Sequence, residues 1–221
     1  MIRQVILDTE TTGLSAERGD RLIEVGCIEM INRRMTKNRF HRYVNPHRAI
    51  DEEAVSIHGI TTEFLKDKPP FEAIAADLFS FLQGAELVIH NAAFDLGFLN
   101  SEFARVNKKW VPVTKQCTVV DTLAIARQKH PGQPNNLDAL CRRYGVNNKH
   151  RDLHGALIDA ALLADVYLLL TGGQRQLFSN EEESTETKII AHNTKVQRTG
   201  RLPVISANAR ELALHAEFFE Q

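Results

Sequence analysis

Two acids, Asp8 and Glu10, stand two residues apart at the end of the aliphatic run Val5-Ile6-Leu7. Side chains alternate along an extended strand, so both carboxylates emerge on one face at its end. No Lys or Arg follows before Arg18. Adjacent carboxylates repel unless one takes up a proton or a cation lies between them; for this pair alone, a solvated turn is the plain alternative. A third acid, Asp95, ends His90-Asn91-Ala92-Ala93-Phe94-Asp95, directly after Leu87-Val88-Ile89. That places it at the carboxyl end of a strand, where α/β sheets collect ligands. It also falls in the first turn of the next helix, where an acid favours the helix dipole without further purpose. The fourth, Asp159, comes five residues after His154. Within one helix these two would point about 140° apart, so they share a site only if His154 precedes the helix, which Gly155 makes easy. Leu157, Ile158, Leu162 and Leu163 mark the buried side of that helix. Asp159 therefore lies near the core and needs a partner.

Four carboxylates and one imidazole define a chemistry if the fold brings them together. Hard oxygen ligands suit Mg²⁺ or Mn²⁺ rather than zinc, and two such ions about 3.5–4 Å apart serve in-line displacement at phosphorus. An imidazole is the side chain suited to take the proton of the attacking water near neutral pH, which is the role expected of His154.

Strands and helices must position these groups. Val5–Leu7, Leu22–Ile31 and Phe40–Val44 read as strands, separated by the turn signals Asn32-Arg33-Arg34 and stopped by Asn45-Pro46. They predict an antiparallel meander. The stripe Phe71, Ile74, Ala75, Leu78, Phe79, Leu82 reads as a helix closed by Gly84. Leu87–Ile89 is a buried strand, and Phe94, Phe98, Leu99, Phe103 and Val106 mark the helix behind it. Cys117–Val120 is a fifth strand, with helices predicted over 121–129, 136–144 and 155–170, the last stopped by Gly172-Gly173. This order implies an α/β fold, a mixed sheet flanked by helices. After Gly173 the composition changes. Residues 179–187 contain no apolar side chain and read as a linker. Leu202–Ile205 and Glu211–Phe219 are apolar again but too sparse for a core, so the end of the chain is expected to be a flexible C-terminal tail carrying an interaction segment.

The chain has 221 residues, 43% hydrophobic and 25% charged, with 27 Lys plus Arg against 28 Asp plus Glu. A net charge of −1 excludes a generic cationic coat for DNA. There is no run of about 18 apolar residues, and Met1-Ile2-Arg3-Gln4 does not open a signal peptide. Cys27, Cys117 and Cys141 form no CxxC pair and read as buried thiols. No membrane association and a cytoplasmic location are expected.

Leu7-Asp8-Thr9-Glu10-Thr11-Thr12-Gly13, His90–Asp95 and His154–Asp159 resemble, in order and separation, the three motifs of the DEDDh family of 3′→5′ exonucleases. Val55–Ile60, Gly84–Asn91 and Asn136–Cys141 extend the likeness to the proofreading members that serve bacterial replicative polymerases, and it runs over residues 3–173. The resemblance implies a ribonuclease H-like fold with a mixed five-stranded sheet. It implies two-metal hydrolysis that releases nucleoside monophosphates from a DNA 3′ end, single-stranded or frayed. Asp8, Glu10, Asp95 and Asp159 match the metal-binding and catalytic acids, and His154 the general base. Asp8, Glu10, Asp159, Glu53 and His58 match substrate contacts, with Thr11, Leu14, Asn91 and Phe94 expected in the same pocket. Residues 1–173 would be the exonuclease domain. Gln174-Arg175-Gln176-Leu177-Phe178 looks like a clamp-binding peptide, with Gln174, Leu177 and Phe178 as its anchors. A linker over 179–200 would lead to a segment, 201–221, that holds the alpha, catalytic subunit of the polymerase; a small stabilising subunit is left open. The competing readings are a free-standing RNA or oligonucleotide exonuclease, against which the tail argues, and a non-catalytic scaffold between polymerase and clamp. The scaffold would require a broken motif, and all five positions are intact. Basic and acidic residues balance one for one over residues 1–172. With four acids neutralised by two divalent ions the domain becomes cationic, weakly enough that partners must deliver its DNA.

Overall fold

Apolar alternation in the first third of the chain builds three long strands, β1 (Arg3–Thr11), β2 (Leu22–Ile31) and β3 (Arg34–Tyr43). Asn32 and Arg33 adopt positive φ of 48° and 64°, which gives the two-residue hairpin turn the twist its strands require. With β4 (Glu86–Ile89) and β5 (Thr118–Asp121) they form one five-stranded sheet in the order β3-β2-β1-β4-β5. The first three strands pair antiparallel, whereas β4 joins β1 and β5 joins β4 in parallel. This computed structural model describes residues 2–148 and 153–172. The clamp peptide 174–178, the linker 179–200 and the polymerase segment 201–221 lie outside the described residues.

Seven helices complete the described chain: α1 (Glu52–His58), α2 (Thr62–Leu65), α3 (Phe71–Leu82), α4 (Ala92–Val106), α5 (Thr122–Lys129), α6 (Leu137–Tyr144) and α7 (Ala156–Thr171). Two large cores hold α3 through α7 to the sheet, and a small cluster of Ile23, Ile60 and Leu65 seats α2. On one face Val5, Leu7, Leu87 and Ile89 pack with α3 and α4 through Phe71, Leu78, Leu99 and Phe103. On the other, Ile6, Ile28 and Val88 meet α6 and α7 through Leu140, Leu163 and Val166. Each such side chain contributes about 1.5–3 kcal/mol by leaving water. The cores thus clamp the two helices that carry Asp95 and Asp159 onto opposite faces of the strand that carries Asp8 and Glu10.

The expected meander, the α/β class and the longer helices are all present. Several boundaries differ from expectation. β3 begins at Arg34 rather than Phe40, because Arg34 and Met35 pair with Ile31 and Met30 straight out of the hairpin turn. β1 continues to Thr11 because β2 goes on pairing with it, Thr9 with Val25 and Glu10 with Glu24. β5 ends on Asp121 rather than Val120, and that side chain caps α5 by accepting from Leu123 N and Ala124 N. The short helices α1 and α2 were not separated by sequence periodicity, since neither spans enough turns to show a repeat. All three cysteines are buried, as expected of the thiols. Among the described residues, no helix is long and apolar enough to cross a membrane.

Candidate active site

The sheet opens where its sense changes. β4 pairs with β1 only from Gln4 to Ile6 and then turns at His90-Asn91 into α4. Asn91 makes this turn in the left-handed region, at φ 66°, which Asn tolerates better than most side chains. β1 continues alone on that side, so Asp8 and Glu10 edge a crevice at the carboxyl end of the parallel strands, the place such sheets reserve for ligands.

All five motif residues reach this crevice. A cavity of about 230 Å³ is lined by Asp8, Glu10, Asp95, His154 and Asp159 together with Thr9, His90, Asn91, Phe94 and Leu137. Ligand atoms of Glu10, His154 and Asp159 lie within 4.8 Å of one another, and Asp8 and Asp95 complete the wall. Asp95 is 2% exposed, and Thr9 Oγ1 donates to its Oδ1 at 2.8 Å. Burial pushes the Asp95 carboxyl up to about 7; the Thr9 hydrogen bond opposes this, and the nearby Asp121 charge adds to it. The cavity as built thus disfavours a bare Asp95 carboxylate. His154 stands just before α7, as its spacing from Asp159 requires, with Nδ1 3.2 Å from Asp159 Oδ2. Its side chain is 42% exposed against 4% for Asp159, so the imidazole meets water while the acid stays in the protein.

A second cavity, about 510 Å³, adjoins the first through Thr9, Glu10 and Phe94. Thr11, Leu14, Glu53 and His58, all expected substrate contacts, line it, as does Ile57. Leu14 is 80% exposed, an apolar side chain held in water at the rim, as a base-stacking surface would be. His58 is buried, and burial pushes its pKa down. Its Nδ1 accepts from Ile60 N–H at 2.9 Å, so the hydrogen sits on Nε2, which has the Thr11 backbone nearby but no acceptor at hydrogen-bonding geometry among the described residues. A donor is therefore held ready in the wall. Asn91, also expected here, lines the smaller cavity instead.

Two positions that sequence reasoning passed over set this geometry. Glu24, on β2 directly opposite Glu10, is 2% exposed. Its Oε2 accepts from Ala156 N–H at 3.1 Å, and its Oε1 lies 2.6 Å from His41 Nε2. Gly155, the N-cap of α7, has no side chain to cap the helix. Glu24 supplies that bond from the sheet and so fixes the end of α7 that presents His154 and Asp159. Gly26, paired with Asp8, lets α7 come down onto β2; a Cβ there would collide with Leu157 N and the Ala156 carbonyl. The signal for both was an acid, one of two with Glu29, and a glycine inside the largely apolar strand Leu22–Ile31.

Residues 5–167 match the exonuclease family, and the layered sheet with its crevice is a ribonuclease H-like fold. Exonuclease I from E. coli, in a zinc-bound complex with single-stranded DNA, shares it with a TM-score of 0.66 at 20% identity, over 79% of this chain and 41% of that one. The DNA polymerase III subunit epsilon of Buchnera aphidicola subsp. Schizaphis graminum is 46% identical over 223 residues, covering 99% of this chain and 96% of that protein. Its counterpart in E. coli K12 is 47% identical over 220 residues, covering 96% and 90%. The chain belongs to the exonuclease family, on its DNA polymerase III subunit epsilon branch. It is a hydrolytic nuclease, a 3′→5′ exonuclease of the proofreading kind.

Proposed function

We propose that this exonuclease removes mispaired nucleotides from the 3′ end of new DNA through the carboxylate cavity, with Asp8, Glu10, Asp95 and Asp159 holding two divalent ions, Mg²⁺ or Mn²⁺, and His154 as general base. The observation that carries this reading is the convergence of all five side chains, from three separate segments, on one cavity. The donor set fits such ions. Four carboxylates offer hard oxygen ligands, and a divalent charge removes the cost of ionising the buried Asp95. When bound, the ions supply charge neutralisation at the phosphate and leaving oxygen and make the attacking water more acidic.

The protein's own part follows from position. Leu14, Ile57 and Phe94 offer apolar surface to the terminal base and sugar, with His58 Nε2–H as a donor, and so set the last phosphodiester against the carboxylates. The Asp159 carboxylate beside His154 Nδ1 favours the hydrogen on that nitrogen, which leaves Nε2 to take the proton of the attacking water. Water oxygen bonds to phosphorus as the bond to the 3′ oxygen of the preceding nucleotide breaks. The products are a nucleoside 5′-monophosphate and a strand one residue shorter.

In the cytoplasm the DNA end would be delivered by partners. Residues 201–221 are proposed to hold the alpha subunit of the polymerase and Gln174, Leu177 and Phe178 the sliding clamp, joined to the exonuclease domain 1–173 by the linker 179–200. Asp8→Ala or His154→Ala is expected to abolish hydrolysis of a 3′-mispaired primer while leaving polymerase binding intact. Full activity in either variant refutes the site. On gel filtration with polymerase, residues 1–173 should elute apart from it and the full chain with it. Equal co-elution would show that the tail is not the tether.

A further inference from the structure

The carboxylate cavity has a second neighbour, on the side away from the apolar pocket. A groove of about 550 Å³ meets it at His90 and Asn91 and runs between α5 and the loop before α6, past Arg127, Gln133, Asn135 and Asn136. The two flanking spaces differ in chemistry. The pocket on the Glu10 side is lined by four acids, Glu10, Asp20, Asp51 and Glu53, against two arginines, Arg18 and Arg48, the latter paired with Asp20, together with the apolar surfaces of Leu14, Ile57 and Phe94. The groove has no carboxylate in its lining. Asp121, at the start of α5, has its Oδ1 engaged by Leu123, Ala124 and Asn91 N–H groups. Arg127 is exposed and makes no hydrogen bond or ion pair with any of the described residues. Asn136 Oδ1 accepts from Ala139 N–H, which leaves its amide hydrogens available. Asn135 is spent on the loop itself, through His130 O, Gln133 O and Arg143, and keeps the wall rigid.

We infer that this groove is the track for the sugar–phosphate backbone on the 5′ side of the scissile bond, with Arg127 paired to a phosphate and the side-chain amides of Gln133 and Asn136 donating along it. The inference rests on the proposed function, which puts the terminal nucleoside in the apolar pocket and the scissile phosphate between pocket and groove. A strand threaded this way meets bases' worth of apolar surface at its end and donors without acids behind it. An anionic backbone is repelled by carboxylates and held by an unpaired guanidinium, so the balance of charge, net acidic in the pocket and basic in the groove, sets the direction of the strand.

The test compares two substrates in the full chain: a single-stranded oligonucleotide, which reaches the groove, and the 4-nitrophenyl ester of thymidine 5′-monophosphate, which does not. For Arg127→Ala the ratio of kcat/KM on oligonucleotide to kcat/KM on ester is expected to fall about two- to fivefold, the upper range for one exposed ion pair, through KM. The slope of log kcat/KM against log salt should shrink by about 0.7, as for one lost phosphate contact on a single strand. Gln133→Glu, which places an acid in the track, should lower the ratio further, and Arg127→Lys should recover the salt slope. An unchanged ratio and slope in Arg127→Ala overturn the track. Ester hydrolysis that survives Asp8→Ala overturns the site reading itself, whatever Arg127 does.

Discussion

Replacing Glu24 by alanine tests how the fold makes the site, since Glu24 holds from the sheet the start of the helix that carries Asp159. The substitution leaves the buried Ala156 N–H without its acceptor at 3.1 Å and His41 Nε2 without its partner at 2.6 Å. An orphaned buried N–H costs about 1–3 kcal/mol, and the lost packing brings the total to about 2–4 kcal/mol. Against a domain stability of about 5–15 kcal/mol, the variant stays largely folded, with an unfolded fraction of at most about one fifth. Unfolding alone could therefore lower activity by less than about 1.5-fold. The start of α7, released from the sheet, would let His154 and Asp159 shift by about an ångström, for which a loss near 100-fold is expected. Glu24→Gln keeps an oxygen for Ala156 N–H and an amide for His41, so it should cost about 1 kcal/mol and retain most of the activity. The assay pairs kcat on a 3′-mispaired primer with a urea melt. A Glu24→Ala variant whose kcat stays within about twofold of the parent refutes the positioning role, because the predicted misplacement is far larger.

Gly26→Ala should act on the same hinge from the other side: the new Cβ forces α7 off the sheet, costing about 1–3 kcal/mol and lowering kcat, and a variant that melts and turns over like the parent would show that the close approach is unnecessary. Asp95 makes stability depend on pH. With its carboxyl pushed up to about 7 from 3.8, the metal-free folded chain keeps a proton that the unfolded chain has lost, so stability from the protonated group is complete below about pH 4 and is lost as pH rises through 7. In urea melts of metal-free protein, Asp95→Asn should gain on the parent by up to about 4 kcal/mol between about pH 4 and pH 8, and added Mg²⁺ or Mn²⁺ should close that gap by stabilising the parent. Parallel pH profiles for the two proteins would sink the assignment.

Strands, long helices and the five motif residues were legible in the sequence because each depends on near neighbours. Alternation marks strands, a 3.6-residue repeat marks helices, and the spacing of His154 and Asp159 around Gly155 already required a histidine placed ahead of its helix. The short helices α1 and α2 escaped because a single turn or two carries no period. Asp121 was assigned to a helix when it ends a strand and caps the next element, a choice settled by pairing with Ile89 on β4. The family resemblance offered Glu53 and His58 as substrate contacts, but could not tell them apart: Glu53 is exposed and His58 buried with its Nε2 in the pocket wall.

By itself, then, the sequence determined which side chains could do the chemistry and on which elements they would ride, since residue type and local period are written along the chain. Only the tertiary structure decided that they meet. Asp95 and Asp159 reach Asp8 and Glu10 from opposite faces of the sheet because β4 leaves β1 early and because Glu24 and Gly26 let α7 settle on β2. Those contacts join residues far apart in sequence. They depend on the packing of whole layers, which no short stretch of chain encodes.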